Sequence, residues 1–263
     1  MVAQAIPTYS MQCFAIPVGI LKEMEWVCRA FYWGQRGNEK KVAWIPWEKL
    51  FVFKKEGGLG IRNLQSFNVA LLAKQAWRVM TNTSSLMTKT LKNKYFPNTT
   101  FLEAKASPVA SYTWRSILSS RKLVEKNAIK VVGGGLLISV WRDPWIRGLP
   151  HFKPLPRRGC TEELPQKVSD LMNNGQWDVS TLQEVFSTWE RREIQRIPVS
   201  VFGGEDTWAW VGTKDEVFSV KSAYYAHLKG KNDDHATSSD NQALSIWGKV
   251  WKAKVAPKVL NFG

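Results

Sequence analysis

The sequence predicts an α+β fold that is mainly helical, and three observations lead to that prediction. Apolar residues recur at steps of three and four in several segments, which is the periodicity of amphipathic helices. Hydrophobic residues make up 44% of the 263 residues, so the chain can bury a core. Segments that alternate like strands are short and lie in the second half. We therefore expect a basic, helical N-terminal lobe and a smaller lobe with short β-hairpins.

Helical periodicity dominates the first half of the chain. Residues 18–33 place Ile20, Met24 and Val27 at helical spacing, and Gly34 is a typical C-terminal glycine. Residues 63–80 are apolar on most sides, which predicts a buried helix. A further helix is predicted over 111–126, where Trp114, Ile117 and Leu118 form an apolar stripe.

The stretch "KKEGGLGIRNL", residues 54–64, raises the question of a phosphate-binding loop. A dinucleotide fingerprint needs a third glycine where Asn63 stands, and it follows a buried strand that "FVFKKE" resembles poorly. The stretch also does not match the phosphate-binding loop of NTPases, because no Gly-Lys-Ser/Thr follows the glycines. The glycines therefore predict a turn before the helix at 63–80.

The second half shows shorter elements. After the glycines at 133–135, Leu136–Trp141 reads as a strand. Residues 168–200 predict two short helices, the second capped near Ser180. Residues 207–211 and 217–220 alternate like a hairpin that runs into a helix.

Positive charge is concentrated in the first half. Residues 1–130 carry 20 Lys and Arg against 7 Asp and Glu, whereas residues 131–263 carry 17 against 15. A basic half favours a polyanionic partner, most often nucleic acid. The alternative is that the charges only keep an apolar helical lobe soluble.

Basic residues interleaved with aromatic residues on helical segments are the candidate nucleic-acid contacts, since they can meet phosphates and stack on bases. The candidates are Lys74, Arg78, Lys89, Lys92, Lys94, Arg115, Arg121 and Lys122. We expect weak, non-specific binding of RNA or DNA through one groove, although the sequence does not prove that these residues converge.

The sequence predicts no metal site, no cofactor, no membrane span and no small-molecule substrate. Its three cysteines stand alone and its three histidines have no metal-ligand spacing, which also suits a reducing compartment. No apolar run approaches the roughly 20 residues that a spanning helix needs.

A series of motifs covers nearly the whole chain. "FYWG", "WIPWEKL", "EGGLGIRNLQSFNVALLAKQAWRVM", "VWRDPW" and "VSDLMNNGQWD" follow one another in order. This series resembles the polyprotein of plant non-LTR (LINE-type) retrotransposons, in the region after the reverse-transcriptase palm. "KVWKAKVAPKVLNF" resembles the start of the reverse-transcriptase zinc-binding domain. "VVGGGLLISVW" departs from the family, in which a polar residue usually interrupts the glycines.

The resemblance implies four consecutive regions. They are a thumb-like basic helical region at 1–130, a connection region at 131–230, a polar linker at 231–245 and the truncated start of a zinc-binding domain at 246–263. The family is an RNA-directed DNA polymerase that uses Mg²⁺ on catalytic aspartates, and those aspartates lie upstream of the matched part. Nucleus and mitochondrion both stay open as compartments.

The resemblance implies no catalytic residue in this chain. Its only adjacent aspartates, Asp233 and Asp234, sit in the polar stretch "GKNDDHATSS" rather than in a hairpin between apolar strands. We therefore expect a catalytically inactive reverse-transcriptase fragment that binds nucleic acid. The alternative is a degenerate retroelement remnant with no present biochemical function.

Overall fold

The structure is a computed structural model that describes residues 5–35, 45–51, 58–155, 164–199 and 204–233. The predicted fold class, mainly helical α+β, is confirmed: helices alternate with two small two-stranded sheets. The helices of the described residues are α1 (Thr8–Cys13), α2 (Val18–Tyr32), α3 (Leu64–Thr81), α4 (Leu86–Tyr95), α5 (Tyr112–Ser119), α6 (Arg121–Asn127), α7 (Val179–Val185), α8 (Thr188–Gln195) and α9 (Val220–Asp233). The strands are β1 (Ala128–Val131), β2 (Met172–Asn173), β3 (Gln176–Trp177) and β4 (Thr207–Trp210).

Residue contacts divide the chain into two compact units that interleave along the sequence. Unit 1 comprises Met1–Ala76, Lys105–Arg121 and Ala223–Gly263, and unit 2 comprises Trp77–Ala104 and Lys122–Ser222. The four consecutive regions expected from the sequence differ from this interleaved arrangement and stay a prediction. Most of the expected linker and all of 246–263 lie outside the described residues.

In unit 1, a buried asparagine of α3 holds the connection between α1 and α2. The side-chain amide of Asn68 donates hydrogen bonds to the carbonyls of Met11 (2.7 Å) and Phe14 (2.9 Å), and its oxygen accepts one from the N–H of Ile16 (2.8 Å). A buried amide is costly unless it is satisfied. These three bonds therefore fix the path of the chain into α2.

The described end of the glycine-rich stretch is a bend at Gly60 and not a hydrogen-bonded turn, and residues 54–57 lie outside the described part. Gly60 has a φ of 71°, a conformation that favours glycine. The side-chain oxygen of Asn63 accepts a hydrogen bond from the N–H of Ser66 (2.8 Å), which satisfies a free donor of the first turn of α3.

The helix predicted over 111–126 is wrong in one respect, because it is two helices. Ser111 caps α5 by accepting from the N–H of Trp114. The hydroxyl of the fully buried Ser120 then donates to the carbonyl of Ile117, and α6 begins at Arg121. A buried serine that bonds to the preceding turn competes with the helical ladder, which accounts for the break.

Both strand predictions of the second half are corrected. The stretch Leu136–Trp141 is not a strand, since only Ser139 forms a bridge, with Lys167. Residues 217–220 do not pair with 207–211; β4 pairs antiparallel with β1 instead, with Val131 opposite Thr207. The alternation of β4 signals a strand correctly, but the partner that it pairs with lies about 80 residues earlier in the chain.

The pairing of β1 with β4 continues into the loop of three glycines. Both carboxylate oxygens of Asp206 accept backbone N–H groups, from Gly133 and Gly135 at 2.9 Å and from Leu137 at 2.8 Å. The N–H of Gly134 donates to the carbonyl of Gly204 at 2.8 Å. A carboxylate with three such donors is well satisfied. The loop therefore wraps the residue that precedes β4.

A buried core of unit 2 includes residues of two capped helices, α7 and α8. Trp145, Leu171 and Phe186 are among its buried members. Of the two helices predicted over 168–200, the first is wrong, because Val168–Leu171 is a 3-10 turn that leads into the hairpin of β2 and β3. The second begins near Ser180 as predicted, with Asp178 accepting from the N–H of Ser180, but it is divided into α7 and α8. Ser187 caps α8 in a reciprocal capping box with Glu190.

Gly133 provides a test of this packing. A Cβ atom added there would lie 2.5 Å from the carbonyl oxygen of Gly204, a backbone atom that cannot move aside easily. We expect Gly133→Ala to lower the free energy of unfolding by about 1–3 kcal/mol. Urea denaturation followed by circular dichroism measures the change.

Gly230→Ala is the matched control. Gly230 lies in α9, and among the described residues a Cβ atom added there would have nothing within 4 Å beyond its own helix backbone. Alanine should therefore leave stability unchanged or raise it by up to about 1 kcal/mol. Equal effects of the two substitutions would show that the glycine loop does not need the close approach to Gly204.

Candidate nucleic-acid interface

All eight predicted contacts lie on helices that the structure describes. Lys74 and Arg78 are on α3, Lys89, Lys92 and Lys94 on α4, Arg115 on α5, and Arg121 and Lys122 at the start of α6. Arg121 is partly buried and the other seven are exposed. A charge on an exposed side chain remains accessible to a polyanion, so this exposure is compatible with the predicted role.

The eight residues divide between the two units. Unit 1 holds Lys74, Arg115 and Arg121, and unit 2 holds Arg78, Lys89, Lys92, Lys94 and Lys122. That all eight line one groove stays a prediction. Within each unit, the structure brings smaller groups together.

The smallest well-defined group is the Lys89–Lys92 face of α4. These two lysines are exposed and three residues apart, and they are therefore neighbours on the surface of the helix. Lys94 points elsewhere, with its ammonium 5.4 Å from the centroid of the Tyr95 ring. The helix is anchored by Ser85, whose hydroxyl oxygen accepts from the N–H of Thr88. Two exposed ammonium groups thus sit on a fixed backbone.

Negative charge is scarce in the chain segment that carries this face. Residues 77–104 carry four basic residues and a single acid, Glu103. The Glu103 carboxylate accepts from the hydroxyl (3.0 Å) and the N–H (3.3 Å) of Thr100. The hydroxyl bond is the main cause that holds its pKa below the ordinary value. The carboxylate of Glu103 is therefore already hydrogen-bonded to a residue three positions earlier in the chain.

Unit 1 has a basic group with aromatic neighbours on α5. The guanidinium of Arg115 lies 5.8 Å from the centroid of the Tyr112 ring, and Tyr112 stacks on Phe14 at 5.9 Å. The Tyr112 hydroxyl donates to the carbonyl of Ala15. Both rings are exposed, and residues 105–121 contain no acid. A cation beside exposed rings suits both phosphate contact and base stacking.

A second polar cluster in unit 1, which no sequence pattern predicts, surrounds the start of α3. Glu25 of α2 accepts from the N–H of Leu64 at 2.6 Å, and the hydroxyl of Tyr224 accepts from the N–H of Asn63 at 3.0 Å. Lys231 donates to the side-chain oxygen of Gln65 at 2.8 Å. These bonds join α2 and α9 to the first turn of α3, and the partners come from distant parts of the sequence.

Burial shifts the pKa values of this cluster. It raises the pKa of Glu25, although the bond from Leu64 acts in the opposite direction. It raises the pKa of Tyr224 to about 12. Burial also lowers the pKa of His227, and the nearby positive charge of Lys231 adds to that effect. The arrangement favours neutral Tyr224 and His227, and so acts as a structural anchor.

In the described ranges, no group of three His, Cys, Asp or Glu side chains is placed so that it could hold a metal ion. Over the same residues, none of the helices has the length and apolar character needed to cross a membrane.

Two proteins of Arabidopsis thaliana are similar to this chain. The uncharacterized mitochondrial protein AtMg00310 is 36% identical over 152 residues, which are 57% of this chain and 99% of that protein. The putative ribonuclease H protein At1g65750 is 31% identical over 268 aligned residues, covering 99% of this chain and 42% of that protein. The chain thus spans less than half the length of the second relative. No protein-family description and no solved structure matches it.

The Glu25 contact predicts a dependence of stability on pH. Because the pKa of Glu25 is raised on folding, its ionised form opposes folding above that pKa, and the effect vanishes as pH falls through it toward 4.5. Glu25→Gln keeps an acceptor for Leu64 and carries no charge. We expect its melting temperature to exceed that of the parent at pH 7.5, with the difference closing as pH falls.

Glu25→Ala is the control, since it removes the acceptor as well as the charge and should melt below the parent at every pH. If Glu25→Gln melts lower than the parent at pH 7.5, the ionised bond to α3 outweighs the cost of burying the charge.

Proposed function

Because the chain belongs to the family of the Arabidopsis thaliana uncharacterized mitochondrial protein AtMg00310, we propose that it is a catalytically inactive fragment of a retrotransposon reverse transcriptase that binds RNA or DNA without sequence preference. Relatives with these names are typical of plant retroelement-derived proteins. The ordered motif series supports the narrower origin after the reverse-transcriptase palm. The name of the second relative supports nucleic acid as the class of partner.

The observation that carries the binding proposal is the exposed Lys89–Lys92 face. Its two ammonium groups project from a capped helix, in a segment whose single carboxylate is bonded to Thr100. Each lysine that neutralises a phosphate releases counterions, and this release favours binding. A lysine is a point charge without a fixed fork, so it contacts phosphate without reading base edges. Binding through this face is therefore non-specific.

The second contact group is the set of Arg115, Tyr112 and Phe14 in unit 1. It offers a guanidinium for a phosphate and exposed rings for a base. Because Tyr112 is held at its hydroxyl by Ala15, its ring is positioned before any ligand arrives. A positioned ring loses less freedom on binding.

The competing interpretation is a degenerate retroelement remnant without a present function. In that case the lysines only keep an apolar helical chain soluble, and removing any two exposed lysines would have the same consequence. The two interpretations therefore differ in how affinity depends on salt.

Fluorescence-anisotropy titrations of the full chain with a labelled duplex, at several salt concentrations, make this test. If about five phosphates are neutralised, the logarithm of affinity should fall with the logarithm of salt concentration at a slope near −4 to −5. Lys89→Ala with Lys92→Ala should reduce the magnitude of that slope by roughly 1–2.

The matched control is Lys214→Ala with Lys221→Ala, which removes the same charge from exposed positions that are not part of α4. It should leave the slope nearly unchanged. Equal slopes for the two double variants, or no salt-dependent binding by the parent, would favour the remnant.

The catalytic part of the proposal is tested by primer extension. Polymerase chemistry needs carboxylates that hold two metal ions about 4 Å apart. The adjacent pair Asp233–Asp234 lies at and just beyond the end of α9, and Asp234 is outside the described residues. We expect no template-dependent extension by the purified chain with Mg²⁺ or Mn²⁺. Extension that disappears on Asp233→Asn would overturn this expectation.

A further inference from the structure

A cleft between α7 and α8 in unit 2 has the character of an anion site. Its volume is about 270 Å³, and its lining combines two arginines, two glutamines, a threonine and a valine. The lining residues are Val179, Gln183, Thr188, Arg191, Arg192 and Gln195. We propose that this cleft binds a phosphate of single-stranded nucleic acid, and that the adjacent Trp189 stacks on the base of the same nucleotide.

The helical spacing of the lining residues shows how the cleft forms. Thr188, Arg191, Arg192 and Gln195 follow one another at steps of three, one and three, which places them on one face of α8. Val179 and Gln183 are four apart on α7. Leu182 of α7 and Ile194 of α8 are buried in the core of unit 2. Both helices that form the cleft are therefore packed on the core of unit 2.

The neighbouring carboxylates of α8 are engaged by other partners. Glu190 accepts from the N–H and hydroxyl of Ser187 at 2.9 and 2.7 Å, and Glu193 pairs with Arg196. Inside the cleft, Arg191 donates to the Thr188 hydroxyl at 3.2 Å, which orients its guanidinium. A guanidinium offers a planar fork of donors that matches phosphate oxygens.

Trp189 supplies the second half of the proposed contact. Its side chain is 52% exposed, although a tryptophan is usually largely buried. It precedes Arg192 by three residues and is therefore its neighbour on the surface of α8. An exposed aromatic face beside arginines is the combination that binds single-stranded nucleic acid.

The size of the cleft limits its ligand. A volume of about 270 Å³ is below the range of about 300–1,000 Å³ that is usual for small-molecule pockets. One phosphate with part of its sugar is the appropriate scale, with the base resting on Trp189 outside the cleft. This inference rests on the proposed function for the identity of the ligand, but it uses none of the residues of the Lys89–Lys92 face.

The test is an anisotropy titration of the full chain with labelled decathymidylate at several salt concentrations. Arg191→Ala with Arg192→Ala should weaken binding and reduce the magnitude of the salt slope by roughly 0.7–1.4, since single strands contribute about 0.7 per phosphate contact. Trp189→Ala should weaken binding at least about five-fold, the loss of one stacked base, and leave the slope unchanged.

Arg142→Ala with Arg147→Ala is the matched control. It removes two exposed arginines of unit 2 that do not line the cleft. If this pair changes the affinity and slope as much as the cleft pair does, or if the cleft and Trp189 variants bind like the parent, the proposal is overturned.

A conservative variant distinguishes phosphate binding by the two arginines from a purely structural role. Arg192 lies in the last turn of α8, where any cation stabilises the helix. Arg191→Lys with Arg192→Lys retains the positive charge, so the melting temperature should not change, but it replaces the planar guanidinium groups by ammonium groups. We expect it to bind decathymidylate more weakly than the parent. Binding equal to that of the parent would overturn the assignment of a phosphate fork.

Competition distinguishes a nucleotide from a bare anion. Thymidine monophosphate should displace the strand at lower concentration than inorganic phosphate, and Trp189→Ala should remove that difference. Equal competition by the two would overturn the stacking contact. The two surfaces also fail separately, because each has its own ligand. If the lysine pair leaves the salt slope for the duplex unchanged, the Lys89–Lys92 face is wrong; if the arginine pair leaves binding of decathymidylate unchanged, the cleft is wrong.

Discussion

Unit 2 depends on the carboxylate of Asp206, which binds three backbone N–H groups of the loop 133–137. This residue precedes β4, and the loop follows β1, so the same bonds that order the loop also set the register of the two strands. The glycines are needed because Gly133 touches the backbone at Gly204 and Gly135 has a φ of 71°. Once the strands are paired, Trp210 is buried against Trp77 and Phe218. One charged side chain thus connects backbone conformation, strand pairing and the aromatic core.

In unit 1, polar side chains also hold neighbouring backbone segments in place through hydrogen bonds. Asn68 and Glu25 are polar residues of helices, and each satisfies backbone groups of a neighbouring segment. Buried polar groups of this kind are costly when they are unpaired, so they favour a single arrangement of the helices that they join. The exposed Lys89 and Lys92 take no part in these networks. Their positions are therefore constrained by solubility or by a ligand, and not by the core.

The two proposed contact surfaces are chemically different. The Lys89–Lys92 face presents point charges on an open helix, which suits the continuous backbone of a duplex. The α7–α8 cleft presents guanidinium forks beside an exposed indole, which suits a strand whose bases are free. The two surfaces therefore suit different forms of nucleic acid because their side chains differ, and not because of their net charge.

The sequence by itself determined what depends on neighbours within one helical turn or one tight turn. The periodicity of Ile20, Met24 and Val27 predicts α2, and Asn63 after Gly60 marks the start of α3, because caps and amphipathic faces are local properties. All eight basic candidates lie on helices, and seven of them are exposed, for the same reason. Tertiary structure alone decided the pairing of β1 with β4, since strand alternation does not specify a partner about 80 residues away. It also decided the cleft. The nearly balanced charge of residues 131–263 gives no sign of Arg191 and Arg192, and only the packing of α7 beside α8 encloses them in a cleft.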